Sequence, residues 1–386
     1  MKVLFISHEA TRTGAPLVLL NVIKLLKKSN NICDVILLNT GEIEKDFIKI
    51  ADKVISIKRK TGILIRLLNK ISDYNYTDLN FKILILRLNK VKYDIIYANT
   101  VSSMSTAVKI KNLLKIKTVL HVHELDYAIK TIFGESNFKS CAGKIDYFIA
   151  ASFAAKNNLI TKYNINADKI SVVYPYSDSV VVNNNDSMSD FLKMAKIKSG
   201  TFVVGGSGQL SWTKGVDIFL QIAKEYSMRS KDSDFVFIWV GGGLDTIYFE
   251  QIKNDLDKLD IKEKIVFTGL KVDPYIYYSL FSVFLFTSKE DSFGLAGLEN
   301  AFLSKPIICF DKCGGFTEFI SDDAGIIVPF LDINKAVDAL LELKSNPEIC
   351  NLIGNKAKNK AAKEFNIEVF NRRILEVISK VRKTRK

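Results

Sequence analysis

Three carboxylates flank a glycine turn after the apolar run Val283–Phe286. Glu290 and Asp291 follow that run closely, and Glu299 stands eight positions beyond Asp291. The residues at the turn between them are, in order, Phe293, Gly294 and Leu295. Carboxylate oxygens accept hydrogen bonds from hydroxyl groups, and the amides that begin a helix after such a turn favour an anion such as phosphate. We therefore expect this segment to bind a ligand that carries hydroxyl and phosphate groups. The alternative is a group of solvated surface charges.

Gln209 and Lys214 lie in a second polar segment, residues 205–215, at the end of an apolar run. The segment reads Gly-Gly-Ser-Gly-Gln-Leu-Ser-Trp-Thr-Lys-Gly and leads into a helical pattern. A cation at a helix N-terminus opposes the helix dipole, at a cost of about 0.3–1 kcal/mol. An anion bound beside Lys214 therefore explains its position best. The alternative is an exposed lysine whose aliphatic stem lies along the surface.

Gly14 stands between the first apolar run and the first helical pattern, in the order Arg-Thr-Gly-Ala-Pro. Because glycine lacks a side chain, the backbone at Gly14 can approach a ligand closely. The segment differs from Gly-x-Gly-x-x-Gly, which argues against a nicotinamide or flavin dinucleotide site. The alternative is an ordinary turn.

All three histidines, His8, His121 and His123, lie at the ends of predicted strands in the first half of the chain. His121 and His123 are two residues apart, so their side chains face the same side of a strand. No third ligand stands at a spacing suited to zinc, and we therefore expect no metal site. Polar contacts to a hydroxyl-rich ligand such as a sugar suit these residues better, and ordinary core or surface histidines are the alternative.

Short apolar runs rich in β-branched residues alternate with helical patterns throughout the chain, and this alternation predicts parallel sheets covered by helices on both faces. Helical patterns in the first half include residues 16–28 and 78–90. Strands are predicted in the first half over residues 3–7, 35–39, 54–58, 95–99, 118–121 and 147–151, and in the second half over residues 202–206, 235–240, 265–268, 283–286, 307–310 and 326–328.

A chain of 386 residues is longer than a single hydrophobic core usually supports, so we expect two domains. Residues 176–189 are rich in Ser, Asp and Asn and interrupt the alternation. The predicted division is a first domain over residues 1–175, a linker over 176–190, a second domain over 191–365, and a C-terminal helix with a basic tail over 366–386. The helical pattern in that last part covers residues 368–383, and residues 380–386 are expected to be a solvated end. Ligands of such sheets bind beyond the carboxyl ends of the strands, where strand order reverses, so we expect a cleft between two facing domains.

Composition excludes several classes of protein. Hydrophobic residues make up 48% and charged residues 25% of the chain, which excludes general disorder. No apolar run approaches the ~20 residues of a membrane-spanning helix, and the N-terminal apolar run is too short for a signal peptide. We therefore expect a cytoplasmic location. The five scattered cysteines form no disulfide framework and no Cys-x-x-Cys pair.

The net charge of +13 belongs to the first half of the chain. Residues 1–175 contain 27 Lys and Arg against 14 Asp and Glu, whereas the remaining residues contain 28 of each kind. This distribution favours an acidic partner for the first domain, and no aromatic-basic motif points to nucleic acid. Much of the excess lies between Lys45 and Lys92, where a basic amphipathic helix suited to an anionic membrane surface is predicted. The alternative is that its apolar residues face the domain core. The residues that define this pattern are Lys60, Ile63, Leu64, Arg66, Leu67, Leu68 and Lys70.

Taken together, these motifs resemble glycosyltransferase family 4, a group of retaining enzymes with the GT-B fold. The family carries an acidic residue and, after seven further residues, a glutamate, and this pattern corresponds to Asp291 and Glu299. The family's Lys-Gly pair corresponds to Lys214-Gly215, and its Gly-Gly turn with a following glutamate corresponds to Gly314-Gly315 and Glu318. The family's glycine in the first domain corresponds to Gly14, and its histidine after a middle strand corresponds to His123. The resemblance implies two facing Rossmann-like domains and a nucleotide-sugar donor such as a UDP-sugar.

The resemblance also implies a role for each residue of the site. Glu299 is expected to bind the ribose, and Lys214 with the amides of residues 293–295 the diphosphate, while Asp291 and His123 hold the transferred sugar. Lysine and helix dipoles meet the charge of the leaving group, so no metal and no other cofactor is expected. Additional donor contacts are expected from Gly14, Gln209, Glu290, Phe293, Gly294 and Leu295. The expected acceptor is a glycan or lipid-linked molecule in cell-surface polysaccharide synthesis, and a peripheral location on the inner face of a membrane is expected for the protein.

Two departures from the family pattern leave an alternative open. Many members have glutamate where this chain has Asp291, although some branches share the Glu-Asp pair. Gln209 stands where an arginine usually neutralises the diphosphate, and Lys312 or Arg12 is a candidate substitute. A catalytically impaired pseudo-glycosyltransferase that acts as a binding partner is therefore the alternative. A retaining phosphorylase is less suited, because no phosphate or pyridoxal site is evident.

Overall fold

The computed structural model describes residues 1–57, 84, 88–177, 187–321 and 323–383. The chain divides into two compact units. The first comprises Met1–Val173 and Asn371–Lys386, and the second comprises Tyr174–Phe370. Each unit is built around its own sheet.

The first unit contains a parallel sheet of seven strands among its described residues, in the order β3-β2-β1-β4-β5-β6-β7. The inner strands are buried along nearly their whole length, which explains why their sequences are continuous apolar runs. The strands are β1 Lys2–Ser7, β2 Ile32–Leu37, β3 Lys53–Ser56, β4 Ile95–Asn99, β5 Lys117–Val122, β6 Tyr147–Ala150 and β7 Ile170–Val172. The last of these, β7, is not among the predicted strands.

Helices connect the strands of the first unit. The described α-helices of five or more residues that precede the second unit are α1 Gly14–Lys28, α2 Glu44–Ile50, α3 Met104–Leu114, α4 Glu135–Ala142 and α5 Phe153–Tyr163. The predicted helix over residues 78–90 lies largely outside the described residues. The basic amphipathic segment from Lys60 to Lys70 lies outside them entirely.

The second unit contains a parallel sheet of six strands among its described residues, in the order β10-β9-β8-β11-β12-β13. Its strands are β8 Phe202–Ser207, β9 Phe235–Val240, β10 Ile265–Phe267, β11 Val283–Phe286, β12 Ile307–Phe310 and β13 Ile326–Val328. Its described α-helices of five or more residues are α6 Ser187–Met194, α7 Val216–Arg229, α8 Ile247–Leu259, α9 Leu295–Phe302, α10 Phe316–Ile320, α11 Ile333–Ser345 and α12 Pro347–Glu364. The predicted α/β class, with a parallel sheet in each half, is confirmed.

The last helix, α13 Ile367–Lys383, belongs to the first unit from Asn371 onward. The expectation that residues 380–386 form a solvated end was wrong for Val381, whereas Lys380 is exposed. The Lys380 ammonium donates to the Tyr147 hydroxyl at 2.7 Å, and the side chain of Val381 is 2% exposed. An apolar face of this helix is therefore part of the core.

Strand order reverses once in each sheet, between β1 and β4 and between β8 and β11. Loops that leave neighbouring strands at such a point diverge, and the gap between them is the usual ligand site of open α/β sheets. Among the described residues, no helix has both the length and the apolar composition that crossing a membrane requires.

Candidate functional site

The loop after β8 is attached to the end of β11, across the reversal point of the second sheet. The Thr287 hydroxyl donates to the Lys214 carbonyl oxygen at 2.9 Å, and the Lys289 amide donates to the Thr213 carbonyl oxygen at 2.8 Å. Gly215 has φ +67°, and a Cβ atom there would collide with the Thr287 carbonyl oxygen. Glycine is therefore required where this loop enters α7, and the backbone of Lys214 is fixed beside β11.

Lys214 and Asp291 form an ion pair, in which the Lys214 ammonium donates to Asp291 Oδ2. Their side chains are 28% and 11% exposed, respectively. The other carboxylate oxygen, Oδ1, accepts a hydrogen bond from the Phe293 amide at 3.3 Å. Lys214 and Asp291 are thus in direct contact although they lie 77 positions apart in the sequence. The sequence analysis assigns them to different parts of one ligand.

The turn after β12 holds the backbone of Asp291. The Asp291 amide donates to the Cys313 carbonyl oxygen at 2.8 Å, and the Gly315 amide donates to the Asp291 carbonyl oxygen at 3.1 Å. Asp291 and Gly314 form a single parallel bridge, and Gly314 has φ +116°. The Gly-Gly turn therefore pairs with Asp291 beyond the ends of β11 and β12 and orients the loop that carries Asp291.

Helix α9 begins directly after this loop. Gly294 precedes its first residue with φ +97°, and a Cβ atom there would collide with the Phe286 ring. The amides of Leu295 and Ala296 belong to the first turn, where a helix provides no carbonyl partner four residues earlier. The Phe293 side chain is 1% exposed and packs against the rings of Tyr174 and Phe365. Two amides at a fixed helix N-terminus suit an anion, whereas the Phe293 amide donates to Asp291.

Glu299 lies in the second turn of α9 and is largely buried. Burial raises the pKa of its carboxyl group to about 7, and the hydrogen bond from the Tyr275 hydroxyl, at 3.3 Å, acts in the opposite direction. Nearby, the Ser207 hydroxyl donates to the Val240 carbonyl oxygen and lies 2.6 Å from the Tyr278 hydroxyl. Burial, and then the charge of Glu299, raise the pKa of Tyr278, so Tyr275 and Tyr278 are polar neighbours of Glu299 that the sequence analysis did not identify.

Gln209 is exposed, and its side-chain amide lies against the turn formed by Gly242 and Gly243. The backbone supports the same contact, since the Leu210 amide donates to the Gly242 carbonyl oxygen at 2.8 Å. Glu290 lies between the two loops, and its amide is 3.4 Å from the Thr213 carbonyl oxygen. Gln209 is neutral, so it offers hydrogen bonds but no charge at this edge of the sheet.

Lys289 and Asp217 form a second ion pair beneath the loop that carries Lys214. The Lys289 ammonium donates to Asp217 Oδ2 at 2.7 Å, and the lysine side chain is only 8% exposed. The ammonium also lies 5.1 Å from the centre of the Trp212 ring. Lys289 therefore holds the loop after β8 against the loop after β11. In the sequence, only its position next to Glu290 indicated that Lys289 belongs to this site.

The first unit has its own polar cluster at the reversal point between β1 and β4. Gly14 begins α1, and the Asn99 amide nitrogen donates to the Ala15 carbonyl oxygen at 2.9 Å. Asn99 Oδ1 lies 2.9 Å from His123 Nε2. Thr100 has φ +71°, a conformation that costs a β-branched residue about 1–3 kcal/mol. The cluster thus brings Gly14 and His123, two predicted site residues, to one edge of the sheet.

The three histidines have different surroundings. The rings of His121 and His123 lie 4.0 Å apart, as expected for alternate residues, but His121 is 1% exposed and lies 2.7 Å from the Tyr97 hydroxyl. Burial lowers the pKa of His123 to about 3, with His8 as a second cause. Burial also lowers the pKa of His8, whose Nε2 lies 3.2 Å from Glu9. His121 is therefore a core residue, and His123 is neutral at neutral pH.

Glu124, which follows His123, ties two loops together. Its carboxylate accepts hydrogen bonds from the Val101 amide at 3.2 Å and from the His123 amide at 2.8 Å. Burial raises the pKa of this carboxyl group to about 7, and these amides partly oppose the rise. In the part of the chain that the structure describes, no group of three or more His, Cys, Asp or Glu side chains is arranged to hold a metal ion.

Two family models match the chain, one in each half. The model of Glycosyltransferase Family 4 matches residues 13–178, and the model of Glycosyl transferases group 1 matches residues 189–360. Both matches include the loops described above. The chain belongs to glycosyltransferase family 4, and its two Rossmann-like units are those of the GT-B fold.

Two curated relatives of this chain are glycosyltransferases whose names record bacterial polymers. The capsular polysaccharide biosynthesis glycosyltransferase CapM of Staphylococcus aureus is 22% identical over 237 residues, which are 58% of this chain and 58% of CapM. A poly(ribitol-phosphate) α-N-acetylglucosaminyltransferase of the same species is 24% identical over 48% of this chain and 38% of its own length. The chain thus spans less than two thirds of the length of these relatives.

The fold matches solved structures over nearly its whole length. HepE from Anabaena, solved in complex with UDP and glucose, has a TM-score of 0.79 and 20% sequence identity. The match covers 98% of this chain and 99% of HepE. At this level of identity, the likeness establishes the shared GT-B fold.

Proposed function

We propose that this protein is a retaining glycosyltransferase that moves a hexose from a nucleotide-sugar donor to a glycan or lipid-linked acceptor. The observation that carries the proposal is the arrangement at the reversal point of the second sheet. Lys214 and Asp291 are in contact there, directly before the N-terminus of α9, and Glu299 lies one turn further along that helix. A cation, a helix N-terminus and two carboxylates supply partners for a diphosphate and for hydroxyl groups.

Each part of the donor has a matching partner in this arrangement. The Lys214 ammonium and the amides of Leu295 and Ala296 are suited to the diphosphate, because all of them donate hydrogen bonds toward negative charge. Glu299, held by Tyr275, is suited to the ribose hydroxyls. Asp291 is suited to the transferred sugar, since its carboxylate is fixed by the Phe293 amide and by the turn at Gly314.

The charge that develops on the leaving diphosphate is met by donors of this chain. Lys214 is the cation of the site, and the first turn of α9 adds its positive dipole end. Donors of this kind typically lower a barrier by ~2–4 kcal/mol each. We therefore propose that departure of the nucleoside diphosphate requires no metal ion and no further cofactor. Retention of configuration is proposed from the family resemblance, with the acceptor approaching the face from which the diphosphate leaves.

The proposed process is cell-surface polysaccharide synthesis, by similarity to CapM and the poly(ribitol-phosphate) transferase, whose names record polymers of this kind. The basic excess of the first half of the chain supports an acceptor that is anionic or attached to an anionic membrane surface. A cytoplasmic protein that associates peripherally with the inner face of the membrane fits both features.

A second candidate is a pseudo-glycosyltransferase that binds a partner without turnover. Gln209 favours it, because a neutral, exposed amide stands where a second cation would assist the leaving group. The two candidates differ in turnover. Incubation of the purified chain with a panel of radiolabelled nucleotide sugars should release free nucleoside diphosphate, slowly by hydrolysis and faster with an acceptor. Binding of a donor without any release would favour the second candidate, and NMR of the product's anomeric configuration would test retention.

A further inference from the structure

The hydrogen bonds of Asn99 determine how its side-chain amide is oriented. Asn99 ends β4 and is fully buried. Its Nδ2 group donates to the Ala15 carbonyl oxygen at 2.9 Å. A carbonyl oxygen only accepts hydrogen bonds, so the NH2 group must face Ala15. The amide oxygen, Oδ1, is therefore the atom that faces His123.

This orientation determines which ring nitrogen of His123 carries the proton. Asn99 Oδ1 lies 2.9 Å from His123 Nε2, and an amide oxygen cannot donate, so Nε2 must be the N–H group. Burial lowers the pKa of His123 to about 3, so the ring holds a single proton at neutral pH. Nδ1 then carries a lone pair and accepts hydrogen bonds.

We propose that Asn99 is a positioning residue that fixes His123 as the Nε2–H tautomer, so that Nδ1 accepts a hydrogen bond from a hydroxyl group of the bound sugar. The second half of the proposal rests on the proposed function. Among the residues that the structure describes, His123 Nδ1 has no hydrogen-bond partner. Both ring nitrogens of His8, in contrast, lie near partners, Thr100 Oγ1 and Glu9 Oε1. His123 is therefore the histidine with an acceptor to offer.

The tautomer is measured directly by 15N NMR of the full chain labelled at histidine, with assignment through His8→Gln and His121→Gln. We expect His123 to be protonated at Nε2 and unprotonated at Nδ1. Asn99→Asp should keep Nε2 protonated, because the carboxylate oxygen that faces His123 also only accepts, whereas Asn99→Leu should give a mixture of tautomers. Tyr97→Phe is the matched control, since it removes a partner of His121 only. Protonation at Nδ1 in the wild-type protein would overturn the proposal, even if Asn99→Leu does not fold.

The sugar contact is tested with UDP-, GDP- and ADP-linked hexoses, each compared with its free nucleoside diphosphate. A nucleotide sugar that binds should shift the Nδ1 resonance of His123, and the matching diphosphate should not. Calorimetric binding of a nucleotide sugar without any change at Nδ1 would contradict the contact while leaving the proposed function intact. Failure of every nucleotide sugar to bind would overturn the proposed function and the contact together, and the tautomer result would still decide the role of Asn99.

Two substitutions of His123 separate its ring nitrogens in turnover. Asparagine places an amide atom near the position of Nδ1, and glutamine places one near the position of Nε2. We expect His123→Asn to retain at least about 10-fold more kcat/KM than His123→Gln, roughly the effect of one hydrogen bond in a buried site. Equal kcat/KM values in the two variants, or the reverse order, would contradict a contact through Nδ1.

Discussion

Glu299→Gln should stabilise the protein above neutral pH while abolishing donor binding. The fold raises the pKa of Glu299 from 4.5 to about 7 because its carboxyl group is buried. Each pKa unit corresponds to about 1.36 kcal/mol, so the folded state favours the protonated form by roughly 3 kcal/mol. Since the side chain keeps some contact with solvent, we expect a measured difference of about 1–2 kcal/mol in the free energy of unfolding.

The sign of the pH dependence follows from the direction of this shift. The folded protein takes up a proton more readily than the unfolded chain, so the free energy of unfolding falls as pH rises from 4.5 to about 7. Glutamine carries no charge and removes this loss. The free energy of unfolding of the variant, relative to that of the wild-type protein, should therefore increase from pH 5 to pH 8.

The assay is differential scanning calorimetry of the full chain, without nucleotide, at pH 5 and pH 8. A gain of 1–2 kcal/mol corresponds to roughly 2–8 °C in Tm for a unit of this size. The exposed residue Glu342 on α11 provides the matched control, since Glu342→Gln should leave the difference between the two pH values unchanged. An equal Tm difference between Glu299→Gln and wild type at both pH values would refute the account of Glu299 as a buried, charged carboxylate.

Three further predictions concern activity and membrane binding. Asp291→Ala should lower kcat by at least about 100-fold, because a charged contact in a site that excludes water is lost. Asp291→Glu should keep measurable turnover. Near-normal rates in the alanine variant would show that Asp291 does not belong to the site. Activity should survive excess EDTA, and complete loss that manganese or magnesium restores would show that a metal ion assists the leaving group. Flotation with anionic liposomes should recover the protein at low salt but not at high salt, because each basic residue near the surface contributes about 1 kcal/mol that salt screens. Equal, negligible recovery with neutral and anionic vesicles would rule out the membrane surface and leave a soluble acidic acceptor.

The strands were predictable wherever burial on both faces produced a continuous apolar run. The predicted bounds of β11 and β12 agree with the structure, and both strands are buried at every residue. Strand β7 escaped prediction because it has only three residues at the sheet edge, of which Ile170 alone is buried. Such a strand owes its existence to pairing with β6, and a pattern of apolar residues does not record pairing.

The candidate site was predictable as far as residue type and strand ends decide it. Lys214 and Asp291 were both identified, but their ion pair joins loops from two strands and depends on the order β8-β11 in the sheet. The ion pair of Lys289 likewise depends on the order of the strands, because its partner Asp217 is 72 positions away in the sequence. For His121, the sequence predicted a ligand contact that the structure does not support. A histidine at a strand end can be enclosed by a neighbouring strand, and His121 is enclosed here by Tyr97 of β4. Contacts between loops and across strands are set by topology and are not written in local spacing.

The central claim is that a nucleotide sugar binds and reacts at the Lys214 site of the second unit. Its most direct test is the release of nucleoside diphosphate from a panel of nucleotide sugars by the wild-type protein, Lys214→Ala and Lys258→Ala. Lys258 is an exposed lysine on α8 and serves as the control. We predict turnover of at least one nucleotide sugar by the wild type and the control, and a loss of at least about 100-fold in Lys214→Ala, the usual effect of removing a donor that stabilises transition-state charge. Unchanged kinetics in Lys214→Ala would contradict the account.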